Sequence, residues 1–148
     1  MGGSSVHIKN KKAKFEYELL DKFTAGMQLL GTEIKSIRDN KASITEAFCA
    51  FHKDELVVRS MYIAPYEPAG KEGHEERRDR KLLLNKQELS KLRKKMKDQG
   101  MTIVPTLLFI SDSGYAKLQI ALAKGKKLYD KRQDLKQKDL KRDIERES

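Results

Sequence analysis

The apolar positions of this chain change period several times, and each change marks an element. Over "KFEYELL", Phe15, Tyr17 and Leu19 alternate with Glu16 and Glu18, the period of two that predicts a half-buried strand. "KFTAGMQLL" predicts a second strand. Asp21 and Lys22 make the turn between the two, and Gly26 marks a bulge or a sharp bend. In "GTEIKSIRDNKAS" the period changes. Ile34 and Ile37, three apart, predict one face of a short helix, capped by Thr32 and stopped at Asp39-Asn40. Glu33, Lys35, Ser36 and Arg38 are left mainly on its flanks and open face. "TEAFCAF" and "ELVVRSMYI" predict a hairpin around "HKDE", with Phe48, Phe51, Val57 and Val58 as candidate core.

"APYEPAGKEGHEERRDRK" breaks the pattern. Two prolines, two glycines and many charges predict a loop, and loops of this length are usually functional or mobile. "LLLNKQELSKLRKKMKDQG" predicts a helix. Asn85 caps it, Glu88 completes a capping box, and Leu89, Leu92 and Met96 form the apolar stripe. Gly100 ends it. "MTIVPTLLFI" and "YAKLQIALA" flank the turn "SDSG"; Ala116, Leu118, Ile120 and Leu122 alternate with Lys117 and Gln119, and Pro105 demands an edge or a bulge.

The tally is about six strands, with a short helix after the second and a longer one before the fifth. No βαβ rhythm is present. The expected fold class is therefore mainly β with peripheral helices, a small antiparallel barrel whose closure removes exposed edges. Residues 1–12 predict a flexible lead-in, 13–123 the barrel and 124–148 a tail.

The tail changes the picture most. On a helical wheel, at roughly 100° per residue, Leu128 and Leu135 nearly coincide, but Leu140 and Ile144 fall well over a quarter-turn away. Charged residues surround the segment, so no single face can anchor it on a core. A partner or disorder must account for it.

Charge says what kind of partner. With 32 Lys and Arg against 22 Asp and Glu, the net charge is +10, which favours nucleic acid first and an anionic membrane second. No apolar stretch approaches the roughly 20 residues of a membrane span, and "MGGSSVHIKN" lacks the core of a signal peptide, so a cytoplasmic location is expected. Cys49, the only cysteine, sits in the strand-like "EAFCAF" as a small core residue, which excludes an intramolecular disulfide and a cysteine-based zinc cluster. His7, His52 and His74 lack metal-ligand spacing, and no phosphate loop, nucleophile elbow or zinc-protease signature occurs. No metal, no cofactor and no catalysis are expected.

Basic residues recur at Lys35, Arg38 and Lys41; at Arg77, Arg78, Arg80 and Lys81; along Lys91 to Lys97; and from Lys124 onward. Tyr62, Tyr66 and Tyr129 lie near some of them. Basic charge fixes phosphates and aromatic rings stack on unpaired bases. "KLRKKMKD" reads equally as a solvated helix face. Glu33, a carboxylate in a basic region, reads either as a partner for Lys35 or Arg38 or as an acceptor for base or ribose donors.

"GTEIKSIR" at 31–38, "RKLLLN" at 80–85, "LQIALAKGKKLYDKR" at 118–132 and the charged tail stand in an order and spacing that resembles the SmpB family, the SsrA-binding proteins of bacterial ribosome rescue. The resemblance covers nearly the whole chain. It implies an oligonucleotide-binding-type (OB) six-stranded barrel and a monomeric adaptor for the tRNA-like domain of tmRNA. Elongation factor Tu in its GTP form would deliver the pair to stalled ribosomes. Glu33, Lys35, Ser36, Arg38 and Lys41 would lie in the RNA-contacting patch, with Arg80, Lys81 and Asn85 on the same surface, so Asn85 has a rival to its capping role. Lys124, Gly125, Lys126, Lys127, Tyr129, Asp130, Lys131 and Arg132 would sit near the small-subunit decoding centre. Lys136, Lys141 and Arg142 would follow in a helix along the empty mRNA channel. Tyr129 departs from the His of many relatives, and the loop "KEGHEERRDR" is more acidic than theirs. The competing readings are an enzyme, which lacks an acid–base constellation, and a generic single-strand binder, for which 7% aromatic residues and no Trp are poor equipment.

Overall fold

The structure is a computed structural model that describes residues 6–125. Nine strands and three α-helices alternate irregularly along this stretch: β1 (His7–Lys9), α1 (Lys11–Glu16), β2 (Tyr17–Met27), α2 (Gly31–Arg38), β3 (Ala42–Ser43), β4 (Phe48–His52), β5 (Glu55–Arg59), β6 (Tyr62–Ile63), β7 (Arg80–Leu83), α3 (Lys86–Lys95), β8 (Met101–Ile110) and β9 (Ala116–Gly125). The fold is mainly β with peripheral helices and an OB-like sheet topology. Every pairing is antiparallel. The large sheet runs β1-β8-β4-β5-β7-β2-β9, and β8 also pairs with β9. β8 is thus shared. Ile103 in its first half faces Cys49 of β4, Leu107 to Phe109 in its second half face β1, and β9 lies along its other edge.

The core lies inside these pairings. Ala25, Leu56, Val58, Leu82, Ile103, Leu108, Leu118 and Ile120 are almost wholly buried, with Ile37 of α2 and Leu92 of α3. Each large aliphatic side chain so buried contributes about 1.5–3 kcal/mol. Ala116, Leu118, Ile120 and Leu122 all face inward, as their alternation predicts. The irregularity expected at Pro105 is present as a register shift between Pro105 and Leu107.

The N-terminal third departs from the sequence pattern. Residues 7–12, expected in a flexible lead-in, are in β1 and the start of α1. Asn10 explains the order: it is buried and its Nδ2 donates to the Pro105 and Ile44 carbonyls at 2.9 and 3.3 Å. "KKAKFE" is helical rather than extended, because Ala13 packs on Val104 and Ala123, a close approach that suits a small side chain on a helix. The two strands expected over 14–30 are one, and Asp21-Lys22 is a register shift within β2, not a turn.

Two further expectations change phase. Phe48 is 42% exposed, while its neighbours Cys49, Leu56 and Val58 face inward. Arg80 and Lys81, expected in the loop, and Leu82 and Leu83, at the start of the segment predicted as helix, form β7, which pairs between β5 and β2. Three consecutive leucines are ambiguous between a buried strand and a helix, and pairing on both edges decides for the strand.

Candidate nucleic-acid interface

α2 packs Ile37 into the core and rests on the small β3–β6 sheet. Thr32 is not its cap. Leu30 precedes the helix and donates its N–H to Glu33 Oε1 at 2.7 Å, while Thr32 lies inside the first turn. At the far end Asn40 takes φ 60°, and Lys41 N–H donates back to the Ser36 carbonyl at 3.0 Å, which turns the chain sharply into β3.

The polar positions of α2 and the turn that follows it divide sharply. Lys35, Arg38 and, in the turn, Lys41 are exposed, but Glu33 and Ser36 are 0% and 1% exposed. Ser36 Oγ donates to the Ala64 carbonyl at 2.8 Å. Glu33 is paired neither with Lys35 nor with Arg38. Its Oε2 accepts from Arg80 Nε at 2.5 Å and its Oε1 from Arg78 Nη2 at 2.7 Å. Arg80, at 0% exposure, spends its other donors on the carbonyls of Met61 at 2.6 Å, Glu76 at 3.2 Å and Glu75 at 3.3 Å. A buried guanidinium needs partners, and here each of its three nitrogens has at least one. Burial raises the Glu33 carboxyl pKa. Hydrogen bonds from Arg78, Leu30 N–H and Arg80, with the Arg80 charge, outweigh that and hold it below its ordinary value. Burial lowers Arg80, and Glu33 opposes the shift.

Around this buried pair the remaining predicted residues spread out. Lys81 sits on β7 with an ion pair to Glu55 at 3.1 Å. It lines a groove of about 500 Å³ beside the start of α2, with Gln28, Leu30, Val57 and Arg78. Asn85 is exposed and caps α3: its Oδ1 accepts from Glu88 N–H at 2.8 Å, and Glu88 Oε1 accepts in return at 3.3 Å. Arg38 reaches the Gly114 carbonyl in the β8–β9 turn at 3.5 Å. Lys124 and Gly125 are exposed at the other end of β9, opposite Glu18 and Tyr17. Lys126, Lys127, Tyr129, Asp130, Lys131, Arg132, Lys136, Lys141 and Arg142 lie outside the described residues.

Sequence reasoning missed the loop's part in the site. Tyr66 lies under Lys35 Nζ, 5.2 Å from the ring centroid. His74 Nδ1 is 2.9 Å from Thr32 Oγ1 and Nε2 is 3.1 Å from the Ile63 carbonyl. The available signal was the length of the loop and the concentration of Arg, His and Tyr within it. Cys49 is buried, and burial pushes its thiol far above the ordinary value. Among the described residues no group of three His, Cys, Asp or Glu side chains is placed to hold a metal, and no helix is long and apolar enough to cross a membrane. The arrangement offers cations on a rigid support and no acid–base pair at the exposed surface of α2.

The chain is similar to known proteins over nearly its whole length. A family model described as SmpB protein matches residues 7–148. The SsrA-binding protein of Bacteroides thetaiotaomicron is 58% identical over 142 residues, which cover 96% of this chain and 95% of that protein. The one from Gloeobacter violaceus is 45% identical over 141 residues, covering 95% and 92%. A solved chain described under "tmRNA-SmpB: a journey to the center of the bacterial ribosome" superposes with a TM-score of 0.71 at 41% identity, covering 84% of this chain and 87% of that one. With a matching model that spans residues 7–148, this chain belongs to the SmpB family of SsrA-binding proteins.

Proposed function

We propose that this protein binds the tRNA-like domain of tmRNA and accompanies it to stalled ribosomes in trans-translation, as a monomeric adaptor that does no chemistry itself. Family membership supports the reading. The observation that carries it is α2: a two-turn helix braced from within by Glu33–Arg80, presenting Lys35, Arg38 and Lys41 outward. Phosphate contacts from these cations set affinity and register on an RNA. Lys81 and Asn85 extend the surface across β7 to α3. Glu33, Ser36 and Arg80 act from inside, holding the contact residues rather than touching RNA. The strand pairings, which run from β4 through β5, β7, β2, β9 and β8 back to β4, are read as a closed six-stranded OB-like barrel.

The tail has a separate part. From Lys124 and Gly125 onward it enters the small-subunit decoding centre, with Tyr129, Asp130, Lys131 and Arg132 there and Lys136, Lys141 and Arg142 following as a helix in the mRNA channel. Channel occupancy by mRNA would exclude it by sterics and charge. Elongation factor Tu with GTP joins through the tmRNA complex, which places the work in the cytoplasm. The test is binding of the full chain, and of a version ending at Ala123, to the tmRNA tRNA-like domain and to an ordinary tRNA across a salt series. A similar preference for the tmRNA domain in both versions is expected, with Lys35→Ala and Lys41→Ala each reducing the salt slope by about one. No preference in either version refutes the function. Loss of preference only on truncation refutes the division between barrel and tail.

A further inference from the structure

α2 is eight residues long, too short to hold its own shape in water. Within it, four residues are gripped by the segment that follows β6. Thr32 meets His74, Glu33 meets Arg78, Lys35 lies over Tyr66 and Ser36 donates to the Ala64 carbonyl. The segment is itself tied down: Ile63 N–H donates to the Glu76 carbonyl at 2.9 Å, and the Glu75 and Glu76 carbonyls both receive Arg80. His74 is the link between α2 and β6. A carbonyl only accepts, so Nε2 donates to Ile63, while Nδ1 shares a hydrogen bond with the Thr32 hydroxyl. The ring thus spans two elements with both nitrogens used.

We propose that residues 64–78 are a strap that fixes the orientation of α2, and that His74 is a positioning residue for RNA recognition, acting through Thr32 rather than by contact. This deepens the tmRNA reading and rests on it. A helix held at one angle sets three cations against one arrangement of phosphates; a helix free to rock meets any RNA about equally. The strap therefore governs discrimination between RNAs more than total affinity. Its acidic residues fit the role. Glu75 and Glu76 are exposed and work through their backbone carbonyls, so the loop needs no net positive charge to serve the site.

The test uses the full chain with His74→Ala, Thr32→Val, the pair together, and His74→Gln, whose amide can donate to Ile63 and accept from Thr32. Binding to the tmRNA tRNA-like domain and to an ordinary tRNA is measured at one salt concentration. Amide hydrogen exchange is followed over residues 31–38 and, as a reference for global opening, over β8 and β9. The expected result is a five- to tenfold loss of affinity for the tmRNA domain in each single variant, on the scale of one net hydrogen bond. Ordinary tRNA binding stays within twofold, the double variant is no worse than the poorer single, and His74→Gln returns to within twofold of the parent. Residues 31–38 exchange faster while β8 and β9 do not. Additive losses in the double variant, equal losses for both RNAs, or unchanged exchange over 31–38 each overturn the strap. If the parent itself shows no preference for the tmRNA domain, the functional reading falls, and the exchange data alone decide for or against the strap.

Discussion

Replacing Glu33 by Gln tests whether that residue works from within. In the parent its two oxygens receive Arg80, Arg78 and the Leu30 N–H, and both Glu33 and Arg80 are fully buried. Glutamine keeps the shape but removes the charge, and its amide group turns donor towards donor. The larger loss is the guanidinium left behind. Removing one partner of a buried pair costs about 3–5 kcal/mol, because the other charge stays desolvated without compensation. The Arg78 contact adds little, since that side chain is 35% exposed and solvent screens it. Against a total stability of about 5–15 kcal/mol this is a large fraction, and it lowers Tm by about 10–15 °C for a chain of this size. The pH dependence has a definite sign. The folded-state pKa of Glu33 lies below its ordinary 4.5, so its contribution is fully present above that value and is lost as pH falls through the depressed one. Urea unfolding of parent and variant should therefore give a constant gap from pH 7 to pH 5 that narrows on further acidification. The double variant Glu33→Leu with Arg80→Met removes the unpaired charge but also the donor to the Met61 carbonyl and the acceptor of the Leu30 N–H, so it should recover only part of the loss. A Glu33→Gln protein within about 1 kcal/mol of the parent at pH 7, or an unaltered gap in acid, would refute the reasoning.

Two other expectations follow from the same structure. Asn85→Ala should cost about 1 kcal/mol through the lost cap of α3, and Asn85→Asp should restore stability; if affinity for the tmRNA domain returns with the Asp variant, capping is the part Asn85 plays, and a persisting affinity loss assigns it an RNA contact. Cys49 should react with a thiol reagent at pH 8 more than a hundredfold faster in urea-unfolded than in native protein, since burial both hides the thiol and suppresses the thiolate; rapid native labelling would contradict its place in the core.

What could be read from sequence was set by how local the cause is. The capping box at Asn85 and Glu88, the stripe through Leu92, the "SDSG" hairpin and the bulge at Pro105 depend on neighbours within a few residues, and all stand as expected. β7 depends on two distant strands accepting Arg80 to Leu83 between them, and α1 on Val104 and Ala123 lying under Ala13, so neither is written in its own period. The mainly β class stands, but the strand list changes: the pair expected over 14–30 is a single strand, β1 and β7 were not expected, and the described residues hold nine strands, seven of them in the large sheet. For the site, the cations at Lys35, Arg38 and Lys41 were legible as charges. The pairing of Glu33 with Arg80, 47 positions away, was not, because charge pattern alone points to nearer partners. His74 was legible only as a poor metal ligand; its use as a link needs the folded neighbours.

β9 runs from the turn that holds Arg38, at Gly114, to the exit at Gly125. Hydrogen-bonded to β2 on one edge and β8 on the other, it cannot bend far. Its ten residues measure about 33 Å. An RNA held on the proposed α2 surface would therefore dictate where Gly125 lies. β9 is thus a ruler of fixed length laid between the α2 side of the sheet and the point where the chain leaves it.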